Sequence, residues 1–187
     1  MEKEKKSRII HLRRLTLAAV LAAMSIVLGK YLQIPNPMQE LVRISFENLP
    51  VIFAGIVLGP AMGVAVGTVA DLVGCLMVGY TVNPLVTLGA ASVGLVAGVM
   101  GKYVFRRHLF PRTVCSVFAA HTVGSLFIKT FGLATWYAAQ YGMGFWTLFF
   151  WRALTYGVIA VLESAVIYIL LKNRALSSLL ERMGKRK

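Results

Sequence analysis

Seven side chains that can carry charge sit within or beside stretches otherwise suited to hydrocarbon: Lys30, Arg43, Asp71, His121, Lys129, Arg152 and Glu163. A charge at the bilayer centre costs at least about 2.5 kcal/mol, so such groups face the protein interior and are candidates for function. Counting from the outer ends of their apolar runs, Asp71 and Arg152 lie seven residues down and Lys129 ten. At about 1.5 Å per residue this places them in one layer some 10–15 Å below the outer surface. His121 and Glu163 are each eighteen residues down and form a deeper layer. Asp71 is expected to pair with Arg152 or Lys129, and His121 with Glu163. The shallow layer is then net positive, with one cation left for an anionic ligand.

The stripe His121, Ser125, Lys129, Gly132, Trp136 and Gln140 runs at spacings of three and four, so it occupies one helix face. Arg152, Tyr156 and Glu163 share a face of another helix. Tyr31, Tyr80, Tyr137, Tyr141, Trp146 and Trp151 cluster toward the outer ends. Tyr141 and Trp146 read as an interfacial belt, whereas Trp136 stands on the polar stripe and is expected to face inward. The pattern describes a pocket open to the outside with aromatic walls and a cationic interior. Its ligand would have a flat apolar part to stack and an anionic part to pair with Lys or Arg.

The sequence has no phosphate-binding G-x-x-x-x-G-K-[ST] loop, no H-E-x-x-H and no G-x-S-x-G. No enzyme activity, metal or cofactor is therefore expected. Cys75 and Cys115 have no metal-ligand spacing and read as small buried hydrophobes.

The elements that must hold these residues follow from composition. The chain has 187 residues, 58% hydrophobic and only 14% charged, with a mean hydropathy of +0.72. A soluble domain is nearer 25% charged. The net charge of +13 is not a nucleic-acid signature, because 16 of the 20 Lys and Arg fall in three clusters flanking the apolar runs. These are Lys3 to Arg14, Lys102 to Arg112, and Lys172 to Lys187.

Runs of the length that crosses about 30 Å of hydrocarbon predict an all-α integral membrane protein with six transmembrane helices. The spans are residues 15–32, 44–58, 61–78, 85–100, 114–139 and 145–171, in one membrane domain. Gly59-Pro60 is either a turn or a kink between spans two and three. Six spans put all three basic clusters on one face, which the positive-inside rule makes cytoplasmic, so residues 1–14 and 172–187 are cytoplasmic tails. The first span is read as retained rather than cleaved, and residues 177–187 as a short interfacial helix. Span one carries alanines at positions 18, 19, 22 and 23, while Gly63/Gly67 and Gly94/Gly98 stand four apart in spans three and four. Small residues at that spacing let another backbone approach, either within the bundle or in a partner subunit.

Three segments carry a family resemblance. Arg43-Ile-Ser-Phe-Glu-Asn-Leu-Pro50, Ala54-Gly55-Ile-Val-Leu-Gly59-Pro60-Ala-Met-Gly63 and Ala70-Asp71-Leu-Val-Gly74 resemble spans two and three of the substrate-binding S component of energy-coupling factor (ECF) vitamin transporters. The Phe46…Leu49-Pro50 entry and Ala70-Asp71-Leu-Val-Gly74 are most similar to the folate-specific branch. Tyr80-Thr-Val-Asn83-Pro84-Leu-Val-Thr-Leu-Gly89 departs from that branch, so riboflavin, pantothenate or another small vitamin stays open. The resemblance implies a multi-pass protein of the bacterial plasma membrane that binds its vitamin from outside. It then docks through Ala18, Ala19, Ala22 and Ala23 on a membrane coupling subunit that carries two cytoplasmic ATPases. A pterin ring would stack on Trp136 or Tyr156, and its N–H donors would meet Asp71 or Glu47. The glutamate tail would meet Lys30, Arg43, Lys129 or Arg152, with Asn83 a further contact and residues 33–42 a lid. A self-sufficient transporter and an integral membrane enzyme are the competing readings.

Overall fold

The computed structural model describes residues 2–34, 44–104, 108–135, 144–174, 176 and 178, with only the helical backbone given for residues 2, 3 and 5–7. Helix α1 (Glu2–Ile26) continues through a π-helical turn, Val27–Tyr31. It is followed by α2 (Asn48–Leu58), α3 (Pro60–Val78) and α4 (Pro84–Tyr103). Helix α5 (Leu109–Leu133) contains a π-helical stretch over His121–Ile128, and α6 covers Phe145–Lys172. Among the described residues five helices are long and apolar enough to cross a membrane: Arg8–Tyr31, α3, α4, α5 and α6.

The second span differs from the expected 44–58. Its helix has 11 residues, about 16 Å at 1.5 Å per residue. Ile44 is still extended and pairs with Ile34, whose N–H donates to Ile44 O at 2.9 Å. Pro50 explains the late start. It disfavours helix in the residue before it and is tolerated only in a first turn, where its missing N–H would have had no partner. Gly59-Pro60 is a turn: Gly59 has φ +96, and Pro60 opens α3 at its first position. Arg14 of α1 donates to Leu58 O and so caps the C-terminal end of α2.

Glycines set how closely α2, α3 and α4 pack. A Cβ on Gly63 would sit 2.5 Å from Gly94 O, one on Gly55 also 2.5 Å from Gly94 O, and one on Gly98 2.5 Å from Pro60 Cα. The Gly63/Gly67 and Gly94/Gly98 pairs thus serve packing within the bundle, backbone against backbone. Ile52, Ala54, Val93, Ala97, Val117 and Ile167 fill the core beneath this contact.

Candidate functional site

Two widened helical turns and one helix start converge on a cleft. Lys30 comes from the π turn of α1, and Lys129 from the residue that follows the π stretch of α5. Glu47 and Asn48 come from the start of α2. The cleft is small and partly open to solvent, with about 280 Å³ of empty space when the open solvent within it is counted. Lys30, Glu47, Asp71 and Lys129 line it, with Ser25 and Asn48.

Lys129 is 4% exposed. Its ammonium donates to Glu47 Oε1 at 2.8 Å and Asn48 Oδ1 at 3.3 Å. Asn48 Nδ2 donates in turn to Ser125 Oγ at 3.2 Å, and Ser25 Oγ donates to Glu47 O at 2.6 Å. The start of α2 is thereby tied to both α1 and α5. Asp71 accepts from Thr87 Oγ1 at 2.7 Å. The expected pairing of Asp71 with Lys129 or Arg152 is replaced, because the short α2 brings Glu47 to the lysine. Two lysines now face two carboxylates, so the described cleft wall is balanced in charge rather than net positive.

Lys30 is the unusual member. It is nine-tenths buried, and its partners among the described residues are Cys75 Sγ at 3.8 Å and the Tyr80 ring, with Nζ 5.7 Å from the centroid. A thiol is a weak acceptor, so among the described residues no carboxylate accompanies this buried cation.

Clearance for the charged chains comes from glycines. A Cβ on Gly29 would meet Glu47 Cβ at 2.7 Å, and one on Gly74 would meet Lys30 Cε at 2.8 Å. At Gly89 a Cβ would collide with Lys129 Cγ.

Three expected ligand residues lie elsewhere. Arg152 is 1% exposed and bound behind the cleft, where it donates to Thr130 Oγ1 at 2.8 Å, Ser125 O at 3.0 Å and Tyr156 Oη at 3.3 Å. Tyr156 lies beneath that guanidinium and beside the His121 ring, and it is not among the described residues that line the cleft. Asn83 caps α4 by accepting from Leu85 N at 3.0 Å, and its Nδ2 donates to Gly132 O at 3.1 Å. Both ends of that amide are engaged in holding α4 to α5. Arg43, Trp136, most of loop 33–42 and most of the tail 177–187 lie outside the described residues. His121 and Glu163 do pair, at 2.7 Å. Ser25 and Asn48 were not anticipated; only the spacing of Asn48 from the Pro50 helix start signalled it.

The alanines of α1 divide. Ala18 and Ala22 are each 6% exposed and belong to the core, while Ala19 and Ala23 face outward. The two pairs are one residue apart, and a step of one residue on a helix carries a side chain to a different face.

Residues 13–183 match the family described as "ECF transporter, substrate-specific component". The chain belongs to that family. Its members are substrate-binding components of transporters, not enzymes. The fold is similar to FolT bound with folic acid, with TM-score 0.68 and 20% identity over 87% of this chain and 95% of that one. It is also similar to an S-component for biotin from an ECF-type ABC transporter, with TM-score 0.61 and 18% identity over 87% and 93%. Among curated proteins none matches in sequence.

Proposed function

We propose that this S component captures folate from outside the cell and delivers it inward when docked on an ATP-driven coupling module. The observation that carries the reading is the buried Lys30 ammonium at the cleft, which has no carboxylate partner among the described residues. A ligand carboxylate supplies the missing anion, with Lys129 as the second cationic contact. Asp71, steadied by Thr87, accepts from the N–H donors of a pterin ring. Arg43 and Trp136, flanking the cleft in sequence, complete the anionic and stacking contacts. Arg152, Tyr156 and Asn83 act one step back, by fixing the α5 segment that presents Lys129. The likeness in fold to a folate-bound protein supports this choice of vitamin.

In this reading α2 is the sixth, shortened crossing, and both basic termini are cytoplasmic by the positive-inside rule. The exposed pair Ala19 and Ala23 forms the flat face that meets the membrane coupling subunit, whose two cytoplasmic ATPases supply the energy. The test is binding of folic acid to the purified chain in detergent, beside riboflavin, pantothenate and biotin. Tight one-to-one folic acid binding that weakens at least tenfold in Lys30→Met supports the assignment. Preference for another vitamin, or full affinity in Lys30→Met, overturns it.

A further inference from the structure

Deeper than the cleft lies an ionisable pair that ligand capture leaves unused. His121 Nε2 and Glu163 Oε2 are 2.7 Å apart, with side chains 4% and 0% exposed. His121 Nδ1 and Glu163 Oε1 are buried with no hydrogen-bond partner among the described residues. The start of α2 brings one charged side chain toward this region, Glu47, which is paired with Lys129, and the titratable groups of α4, Lys102 and Tyr103, are exposed at its far end. On α5 the others are Arg112, Cys115 and Lys129, and on α6 Arg152, Tyr156, Tyr168 and Lys172. Of these, Tyr156 is in ring contact with His121, at 5.4 Å between centroids.

The proton count follows from the hydrogen bond. With neutral imidazole and ionised carboxylate, Nε2–H donates to Oε2, and the pair holds one negative charge inside the bundle. One added proton makes the pair neutral without breaking that bond. Nδ1, the ring atom left without a partner, then carries N–H, whichever side of the 2.7 Å bond holds the other proton. A net charge at this depth is costly.

We propose that His121 and Glu163 together form a binding site for one proton, and that its occupancy is linked to the anionic ligand in the cleft. The linkage rests on the ligand reading above; the proton site does not. The π stretch begins at His121 and ends at Ile128, immediately before the cleft lysine. Tyr156, Arg152 and Ser125 join the same two places through contacts already described. Eight residues of helix separate His121 from Lys129, about 12 Å. Over that distance, at an effective permittivity near 20, two unit charges shift an equilibrium by roughly tenfold. Lys129 and Arg152 oppose protonation of the pair, Glu47 beside Lys129 favours it, and a ligand anion at Lys129 adds a further negative charge on the favouring side. Ligand binding therefore takes up a proton, and affinity falls as pH rises through the titration of the pair.

The test is NMR of the full chain in detergent micelles with ¹⁵N-labelled histidine rings, titrated over roughly pH 5–9, the range around an ordinary histidine. The chain has three histidines, and the exposed His11 and His108 are assigned by replacement with Asn. The expected result without ligand is a single titration at His121 whose midpoint moves in Glu163→Gln. A His121 ring that does not titrate, or a midpoint indifferent to Glu163→Gln, overturns the proton site. Saturating folic acid is expected to raise the midpoint by up to about one pH unit, matching a tenfold linkage. An unmoved midpoint in a chain that binds folic acid overturns the linkage alone. A chain that binds no folic acid loses the linkage together with the ligand reading, while the ligand-free titration still decides the proton site.

Discussion

The proposed function gives Lys129 a second task beside its ion pair, and one set of variants separates the two. Its ammonium is held 2.8 Å from Glu47 Oε1 and 3.3 Å from Asn48 Oδ1, with the lysine side chain 5% and the glutamate side chain 20% exposed. Removing one member of a buried pair costs about 3–5 kcal/mol, because it leaves a charge without compensation. Water reaches part of Glu47, so Lys129→Met should cost less, about 2–3 kcal/mol. For a chain of this size that corresponds to roughly 5–10 °C in the unfolding midpoint, at about 2–4 °C per kcal/mol. Adding Glu47→Gln removes the stranded charge and should return about 1–2 kcal/mol, a coupling energy expected for contacting residues. Folic acid binding should behave differently. The ligand carboxylate loses a charge-assisted bond worth about 1.5–3 kcal/mol, so affinity drops at least tenfold in Lys129→Met and stays low in the double variant. The assay is thermal unfolding in detergent followed by tryptophan fluorescence, with calorimetric titration of folic acid on the same samples. A double variant that regains both stability and affinity would leave Lys129 as a structural group only. A single variant as stable as the parent would refute the buried pair itself.

The glycine clearances give a matched pair of substitutions. Gly89→Ala sets a methyl against Lys129 Cγ and 3.0 Å from Gly124 O. It should cost about 1–3 kcal/mol by overpacking and weaken folic acid binding. Gly157→Ala on α6 meets nothing within 4 Å, so helix propensity should raise stability by about 0.5–1 kcal/mol with binding unchanged. Asn83→Ala removes the cap of α4 and the bond to Gly132 O, a loss of about 1–2 kcal/mol visible in the unfolding midpoint. Folic acid affinity should change by less than about threefold there, because Asn83 does not line the cleft. Ala23→Trp should leave folic acid binding intact in the isolated chain and reduce uptake by cells that carry the coupling module. Ala22→Trp should unfold the chain instead, since that position is 6% exposed within the core.

How far the sequence could be read depends on what each pattern measures. Apolar run length located α6 to within one residue, 145–171 against Phe145–Lys172, because a long uninterrupted helix is set by composition alone. It misplaced the start of α2, where Pro50 and the Ile34–Ile44 pairing decide. Depth counting put His121 level with Glu163, and they pair. Depth does not give direction around the helix. Arg152 is at the expected level yet turns toward Thr130 and Ser125 rather than Asp71. The same limit applies to span one, where adjacent alanine pairs look alike in sequence and face opposite environments.

The π stretch shows why spacing could find the stripe on α5 but not its shape. An α turn holds 3.6 residues, whereas the i→i+5 bonding of a π turn makes each turn hold more than four. A run of side chains four apart therefore drifts one way around an α-helix and the other way around a π-helix. His121, Ser125 and Lys129 are spaced by four, and all three are buried, at 3%, 0% and 4% exposure. Because the widened turns occupy His121–Ile128 and ordinary helix resumes at Lys129, the two drifts oppose one another along α5. The same backbone that keeps the deep histidine facing inward also keeps the cleft lysine facing inward. A change in the number of residues across that segment would move both. Inserting one alanine after Thr122 should accordingly abolish folic acid binding and the His121 titration together, and a variant that loses only one of them would show that the π stretch does not couple the two sites.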